Sequence, residues 1–193
     1  NDNVDNDDNG QDSATPESTG IVTSLVDLAS LSEPTNDGDD NNGNLMVDLG
    51  FVPRMALGNL VWKDLNNNGG KEANEPVVNG AAVELLRDAN NNGQLDTAEL
   101  TAVATQTTAS GGLYKFNNLT PGSYFVRVAA SNFQPNGVLA GYVSSTPTET
   151  DPNGDGDTND NGLDNPNPQT NGIVSGRVTL VGRVRLASAW TAR

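Results

Sequence analysis

The sequence Asp64-Leu65-Asn66-Asn67-Asn68-Gly69-Gly70-Lys71-Glu72-Ala73-Asn74-Glu75 fits the calcium-loop pattern D-x-[DN]-x-[DN]-G-x5-E at every defined position. Residues 88–99, Asp88-Ala89-Asn90-Asn91-Asn92-Gly93-Gln94-Leu95-Asp96-Thr97-Ala98-Glu99, fit it again. In such a loop the side chains at positions 1, 3 and 5 turn oxygens inward, glycine at position 6 permits a sharp turn, and glutamate at position 12 closes the shell. Two complete matches so close together favour calcium binding over the alternative, a pair of solvated polar turns.

Each loop therefore has a defined set of candidate ligands. In the first loop they are Asp64, Asn66, Asn68, the Gly70 carbonyl, Glu72 (directly or through water) and Glu75. In the second loop they are Asp88, Asn90, Asn92, the Gln94 carbonyl, Asp96 and Glu99. Three carboxylates in each loop would leave about one net negative charge around a bound Ca²⁺.

The segments around the loops read as strands rather than helices. Residues 57–62 form a short apolar run, and residues 100–108 are rich in threonine and alternate in polarity, whereas residues 82–86 fit either type of element. Further strand candidates are residues 21–28, 45–51, 112–116, 123–130 and 142–146. Many short strands separated by turn signals predict an all-β sandwich. Calcium between strands would act as a staple and not as a helix-opening switch.

The charge of the chain supports a metal-dependent fold. It has 25 acidic and 10 basic residues, a net charge of −15, and neither histidine nor cysteine. Twenty-two of the acids lie in five clusters, at 2–12, 33–48, 64–75, 88–99 and 149–164. These clusters repel themselves without a cation, so we expect a partly disordered metal-free chain that folds with Ca²⁺. Such a charge excludes nucleic acid as a natural partner.

Three of the acidic clusters offer weaker candidate metal loops. The first contains Asp5, Asp7, Asn9 and Asp12, and the second contains Glu33, Asp37 and Asp39. The third contains Asp151, Asn153, Asp155 and Asp157, but glycine stands at its position 12, so Asp160 or Asp164 would have to supply the missing oxygen. The sequence thus predicts two Ca²⁺ sites and allows up to about five.

The two ends of the chain repeat each other. Asp8-Asn9-Gly10-x-Asp12 recurs as Asp160-Asn161-Gly162-x-Asp164, an offset of 160 − 8 = 152 residues. At the same offset, Gly20-Ile21-Val22 recurs as Gly172-Ile173-Val174. The chain reads as one full unit followed by the opening of the next, so that in a tandem array the final strand belongs to the following unit.

The last segment has an unusual pattern. Residues 174–190 alternate, with mostly apolar residues at even positions and Arg177, Arg183 and Arg185 at odd ones. Residues 173–193 carry four basic and no acidic residues. One hypothesis is that this strand pairs with a neighbouring subunit and links copies head to tail. The contact residues would be Val178, Leu180, Val184, Leu186, Trp190, Arg177, Arg183 and Arg185. The alternative is that the strand pairs within its own domain.

Three separate motifs carry a resemblance to a known family. They are Gly58-Asn59-Leu60-Val61-Trp62-x-Asp64, then Ala82-Val83-Glu84-Leu85, then Tyr114-x-Phe116-x-Asn118-Leu119-x-Pro121-Gly122-x-Tyr124. In this order they resemble the B-repeat domain of bacterial serine-aspartate-repeat surface proteins, which is related to the B-type domain of collagen-binding adhesins. The resemblance implies a prealbumin-like (CnaB-type) β-sandwich, calcium in the inter-strand loops and a spacer role on cell surfaces.

The resulting domain prediction has three parts. Residues 1–56 hold acidic loops and the strands of an inter-repeat segment, residues 57–164 form the calcium-binding sandwich, and residues 165–193 form the C-terminal strand. Some relatives of this family cross-link a lysine to an asparagine, but Lys63, Lys71 and Lys115 are not clearly in that context.

Function is predicted to be structural. We expect a calcium-stabilised extracellular module of a bacterial surface fibre or adhesin, since weak sites of this type need the millimolar calcium found outside cells. Its partners would be copies of itself or adjacent repeats, with neither nucleic acid nor membrane insertion. The alternative is a module that binds carbohydrate or a host protein, with Trp62, Phe125 and Tyr142 lining a groove. The lack of histidine, cysteine and a serine-centred motif argues against an enzyme.

Overall fold

The computed structural model describes residues 8–13, 15–38, 40–146, 151–153 and 159–182. The chain divides into two compact units, Asn1–Val52 and Pro53–Arg193. This division lies four residues before the boundary predicted after residue 56. Within the described ranges, no helix is both long and apolar enough to cross a membrane.

The regular elements of the second unit are mostly strands, joined by long loops. In chain order they are β1 (Met55–Leu60), β2 (Ala82–Asp88), β3 (Ala104–Thr107), β4 (Leu113–Leu119), β5 (Gly122–Val128), β6 (Ile173–Val174) and β7 (Val178–Leu180). Two single 3₁₀ turns, Thr97–Glu99 and Ala130–Phe133, and a four-residue helix α2 (Pro168–Asn171) complete the described elements of this unit. The first loop follows β1 and the second connects β2 to β3.

The strands form two antiparallel sheets. One contains β1 and β4, and the other has the order β3-β2-β5-β6, with β7 also paired to β5. The core is a cluster of buried side chains to which both sheets contribute, namely Val61, Val78, Ala81, Val83, Leu85, Phe116, Tyr124, Val126, Phe133 and Leu139. The predicted all-β sandwich is therefore confirmed.

Alternation along β2 explains part of this core. Val83 and Leu85 point inward and are completely buried, whereas Glu84 between them faces outward. Glu84 stands opposite Arg127 of β5, and its Oε2 accepts a hydrogen bond from the Arg127 Nε at 2.6 Å. Cross-strand pairs of this kind fix the register, because a slip by one residue would bury both charges.

Some predicted strands are wrong. Residues 142–146 form no strand, and neither do residues 45–51 of the first unit. Residues 21–28 form only one isolated bridge, from Thr23 to Gly10. An apolar alternating run becomes a strand only where a partner offers backbone groups. Residues 82–86, which the sequence left open, lie in β2.

The first unit is a loop-rich segment. Its one described helix is α1 (Pro16–Thr19), a single turn that ends at Gly20. Residues 8–10 contact residues 48–50, since the Asn9 backbone N–H donates to the Asp48 carbonyl at 2.9 Å. Among the described residues of this unit, the side chain of Met46 is completely buried.

The described part of the C-terminal pattern, up to residue 182, forms two short strands. β6 and β7 are separated by residues 175–177, and both pair with β5 of their own unit. This matches the alternative of pairing within the domain for Val178 and Leu180. The other predicted contact residues Arg183, Val184, Arg185, Leu186 and Trp190 lie outside the described residues, and their subunit contacts stay a prediction.

Candidate metal centre

The first loop curls around the carboxylate of Asp64, its first residue. Asp64 Oδ1 accepts from the backbone N–H groups of Asn66 at 3.1 Å and Asn67 at 2.6 Å, and Oδ2 accepts from Gly69 at 2.8 Å. Burial by itself raises the pKa of Asp64, but these N–H groups together outweigh it and hold the pKa below its usual value. The loop is thus shaped around a charged oxygen at position 1.

The next two ligand positions repeat a local turn. Asn66 Oδ1 accepts from the Asn68 backbone N–H at 3.1 Å, and Asn68 Oδ1 accepts from the Gly70 N–H at 2.8 Å. Each is an asparagine side chain whose oxygen accepts from the backbone two residues further on, which turns the chain at successive ligand positions. Asn67 between them has a φ of 57° and Gly69 a φ of 75°.

Glutamate closes the first loop at position 12. Glu75 is only 5% exposed, and its two carboxylate oxygens accept from the backbone N–H groups of Leu65 at 2.7 Å and Glu72 at 3.1 Å. It therefore ties the start of the loop to its end.

The second loop has the same pattern of hydrogen bonds between its side-chain oxygens and its backbone N–H groups, which we call the hydrogen-bond frame. Glu99 accepts from Ala89 at 2.7 Å and from Asp96 at 3.2 Å, as Glu75 does from Leu65 and Glu72. The frame is completed by Gly93 donating to Asp88 Oδ2 at 3.0 Å, Asn92 to Asn90 Oδ1 at 3.0 Å and Gln94 to Asn92 Oδ1 at 2.8 Å. Asn91 and Gly93 have φ values of 55° and 78°, close to those of Asn67 and Gly69. Two loops of different sequence thus adopt one conformation.

The donor atoms of this frame fit Ca²⁺. Asp96 Oδ2 accepts from the side-chain amides of both Asn90 and Asn92 at 2.8 Å, so the side chains at positions 3, 5 and 9 meet at one point. In the first loop Asn68 donates to Glu72 in the same way, and the other Glu72 oxygen is buried without a hydrogen-bond partner. A cation bound at either point would neutralise the carboxylate, in place of the asparagine N–H groups that donate to it here.

The donor set also limits which metal could bind. Within the described ranges, no three acidic side chains converge closely enough to hold an ion through carboxylates alone. An ion in either loop would need asparagine oxygens and a backbone carbonyl as well. A site made only of carboxylate, amide and carbonyl oxygens suits Ca²⁺ and does not suit zinc or copper.

Asp160 is brought to the first loop from far along the chain. Its backbone N–H donates to the Gly69 carbonyl at 2.7 Å, and its carboxylate accepts from Ser145 Oγ at 2.7 Å and from the Gly162 N–H at 2.8 Å. Burial raises the pKa of Asp160, and the negative charges of Asp164 and Asp64 add to the rise. Asp160 was predicted to complete the loop that begins at Asp151, but the structure places it beside the first loop.

Arg177 is a neighbour of the second loop that no sequence motif indicated. Its Nη1 lies 3.8 Å from Oδ2 of Asp88, a side chain with no exposed surface. The guanidinium also lies against Gly93, where an added Cβ would be 3.4 Å from Nη1. The positively charged guanidinium of Arg177 therefore lies at the edge of the candidate metal position.

The weaker candidate loops give mixed results. Asn9 and Asn153 use their side-chain oxygens for the backbone N–H groups of Asp48 and Thr179, at 2.9 and 2.7 Å. Glu33 and Asp37 accept from the N–H groups of Ala29 and Leu45. Asp12 and Asp164 are exposed. Asp5, Asp7, Asp39, Asp155 and Asp157 lie outside the described residues, so metal binding in these loops stays a prediction.

The three aromatic candidates for a binding groove are not equivalent. Phe125 is buried and cannot line a surface groove. Trp62 and Tyr142 line a cleft of about 470 Å³, and Lys63 Nζ lies 4.4 Å from the centre of the Tyr142 ring.

Comparison with known families identifies the fold. Residues 55–175 match the family described as the SdrD B-like domain. The chain belongs to the SdrD B-like domain family. The match covers both complete loops and every strand of the two sheets except β7, and this SdrD B-like domain has the sandwich that the resemblance implied. The family is a structural repeat module of surface proteins and not an enzyme family.

Individual relatives match in part. Serine-aspartate repeat-containing protein D of Staphylococcus aureus is 32% identical over 163 residues, which is 84% of this chain and 10% of that protein. Serine-aspartate repeat-containing protein I of Staphylococcus saprophyticus is 37% identical over 89 residues, 45% of this chain and 4% of that protein. Colossin-A of Dictyostelium discoideum is 40% identical over 85 residues, 44% of this chain and 1% of that protein. This SdrD B-like domain thus spans a tenth or less of these relatives.

Proposed function

We propose that this chain is a calcium-stabilised structural module of an extracellular bacterial surface protein. Ca²⁺ in the loops 64–75 and 88–99 would neutralise their carboxylates and stiffen a sandwich that acts as a spacer. The observation that carries the proposal is the shared hydrogen-bond pattern of the two loops, in which corresponding oxygens accept from corresponding backbone N–H groups although the sequences differ.

The burial of the acids explains why calcium would matter for stability. Asp88, Glu75 and Glu99 are 1%, 5% and 8% exposed. Buried carboxylates are costly unless they are paired or bound to a metal. The backbone N–H groups compensate part of this cost, and Ca²⁺ would compensate the rest. The same dependence supports an extracellular location, where calcium is available at millimolar concentration.

A metal count combined with thermal unfolding tests the proposal. We expect two Ca²⁺ per chain after dialysis against millimolar calcium, and a melting temperature at least about 10 °C lower in excess EDTA, because binding to the folded state alone adds stability. Mg²⁺ is the matched control, since it demands a smaller octahedral site and should not restore stability. Equal melting temperatures and equal protease resistance with and without EDTA would contradict the proposal.

A second candidate function is recognition of a glycan or a host protein. The observation in its favour is the cleft lined by Trp62 and Tyr142, because aromatic rings are common in ligand sites. Glycan-array binding that is lost in Trp62→Ala while the melting temperature is kept would support it. The same array without any signal would favour the structural role.

A further inference from the structure

Residues 8–28 and residues 160–180 are two copies of one folded element. Ten of the 21 aligned positions are identical: those of Asp8, Asn9, Gly10, Asp12, Pro16, Gly20, Ile21, Val22, Val26 and Leu28 in the first copy. Each copy contains a one-turn helix that starts with proline and ends at a glycine, α1 in the first and α2 in the second. The terminal glycines have φ values of 70° and 74°.

The internal hydrogen bonds of the two copies also correspond. In the first copy Gln11 donates from its backbone to the Val22 carbonyl, and in the second Leu163 donates to the Val174 carbonyl, both at 2.8 Å. Gly10 donates to Asp8 Oδ1 at 2.9 Å, as Gly162 donates to Asp160 Oδ1 at 2.8 Å. The bridge between Gly10 and Thr23 matches the bridge between Gly162 and Ser175. The two copies therefore share the helical turn, the Asp–Gly turn and the bridge.

The second copy completes the larger sheet of its unit. Its residues 173–174 and 178–180 are β6 and β7, which pair with β5. Ser175 donates from its backbone to the Val126 carbonyl at 2.8 Å, and Val126 donates back to Ser175 Oγ at 3.0 Å. Gly172 approaches β5 so closely that an added Cβ would lie 2.2 Å from the Val128 carbonyl oxygen.

The first copy keeps the apolar residues of β6 and β7 but forms no such strand. Val22, Leu25 and Leu28 are 59%, 86% and 69% exposed. In the described part of the chain its backbone makes no strand pairing beyond the single bridge from Thr23. An added Cβ on Gly20 would meet no atom within 4 Å. The edge of β5 that would suit it is already paired with the second copy.

We propose that residues 20–28 are a docking surface for the β5 edge of a preceding copy of this domain in a tandem array, in which they stand where residues 172–180 stand in this chain. They would complete that copy's sheet as β6 and β7 complete it here, through backbone hydrogen bonds along the strand. Ile21, Val22, Val26 and Leu28 would take the places of Ile173, Val174, Val178 and Leu180. This goes beyond the proposed function, because it names the partner and the surface and does not depend on calcium.

A segment exchange tests whether the first copy can pair with β5. In the full chain, residues 160–180 are replaced by a copy of residues 8–28, which has equal length and keeps Asp160, Asn161 and Gly162 beside the first loop. We expect cooperative unfolding with a melting temperature within about 5 °C of the parent. The control is the same exchange with Val174→Asp and Val178→Asp, which places charges in the strands and should melt far lower.

A second exchange separates the strand from the Arg177 contact. It differs only in keeping Arg177 in place of the leucine that the first copy supplies, so that the contact with Asp88 is preserved. Folding of either exchanged chain, with loss of folding in the aspartate control, supports the proposal. If both exchanged chains unfold, or melt no higher than the control, residues 20–28 cannot complete this sheet and the proposal is overturned.

Discussion

Arg177 Nη1 lies 3.8 Å from Oδ2 of the buried Asp88, at position 1 of the second candidate calcium loop. The two residues are 89 positions apart in the chain, and Arg177 reaches the loop because β6 and β7 pair with β5 beside β2. Closure of the sheet by the C-terminal strands therefore also delivers a positive charge to the loop.

The first prediction concerns this charge. Arg177→Gln should tighten calcium binding to the second loop about threefold to tenfold, because a cation next to the metal position weakens it by roughly 1 kcal/mol at a partly exposed site. The same change should lower the melting temperature in EDTA, where Arg177 is the counter-charge to Asp88. Calorimetric titration with Ca²⁺ measures the first effect. Arg54→Gln is the control, since its guanidinium bonds the Asn118 carbonyl instead.

The second prediction concerns the closing glutamates. Glu75→Gln and Glu99→Gln should each weaken calcium binding by at least about tenfold, roughly 1.4 kcal/mol, because a bidentate carboxylate becomes a single amide oxygen. Each variant should lose about half of the calcium-induced rise in melting temperature. Glu17→Gln, an exposed change in α1, is the matched control. Unchanged calcium titrations in both variants would show that the ions bind elsewhere.

The third prediction concerns Asp160. Its half-buried charge lies near those of Asp64 and Asp164, so Asp160→Asn should raise the melting temperature in EDTA by a few degrees. With calcium present the gain should vanish or reverse, because the cation then compensates the negative charge. Differential scanning calorimetry in both conditions gives the comparison. A loss of stability in EDTA would instead mean that the bonds from Ser145 and Gly162 outweigh the charge.

The fourth prediction is a pH dependence in the metal-free protein. The folded pKa of Asp64 is lowered from 3.8, so its contribution to stability is present above pH 3.8 and is lost as the pH falls through the folded pKa. In EDTA, Asp64→Asn should therefore be less stable than the parent at pH 6, and the difference should shrink below pH 3.8. Melting curves between pH 3 and pH 6 measure it. A constant difference over this range would contradict the assignment.

The fifth prediction concerns the smaller sheet. At Gly58 of β1 an added Cβ would lie 2.2 Å from the Tyr114 carbonyl oxygen and 2.7 Å from the Lys115 Cα of β4. Gly58→Ala should thus separate the two strands and cost about 2 kcal/mol or more of unfolding free energy. Gly50→Ala is the control, where the nearest atom is 3.4 Å away. Urea unfolding in calcium measures both variants.

Features with local causes could be predicted from the sequence. The spacing of Asp64, Gly69 and Glu75 dictates which backbone N–H groups each oxygen can reach, and the structure shows these bonds in both loops. The alternation in residues 123–130 likewise predicts β5, although residues 123–126 are all buried because β5 is covered on both faces. Family membership followed from three motifs whose order is itself a sequence property.

Features with distant causes could not be predicted. Residues 21–28 have a strand-like pattern, but pairing depends on a neighbour that the segment itself does not contain. Asp160 contacts Gly69 because residues 159–162 fold back onto the first loop, and no spacing within either segment indicates it. The interruption between β6 and β7 at residues 175–177 could not be predicted either, because the alternation in the sequence continues through Gly176.

The placement of β1 and β7 has a mechanical consequence. The chain enters the second unit through β1, which pairs with β4, and leaves the described sheets through β7, which pairs with β5. A pulling force on the two ends would act on the β1–β4 pairing and on the β5–β7 pairing, which lie in different sheets. The unit therefore could not be extended by opening one hairpin alone. Resistance to extension then depends on β5, which β2, β6 and β7 hold on both edges.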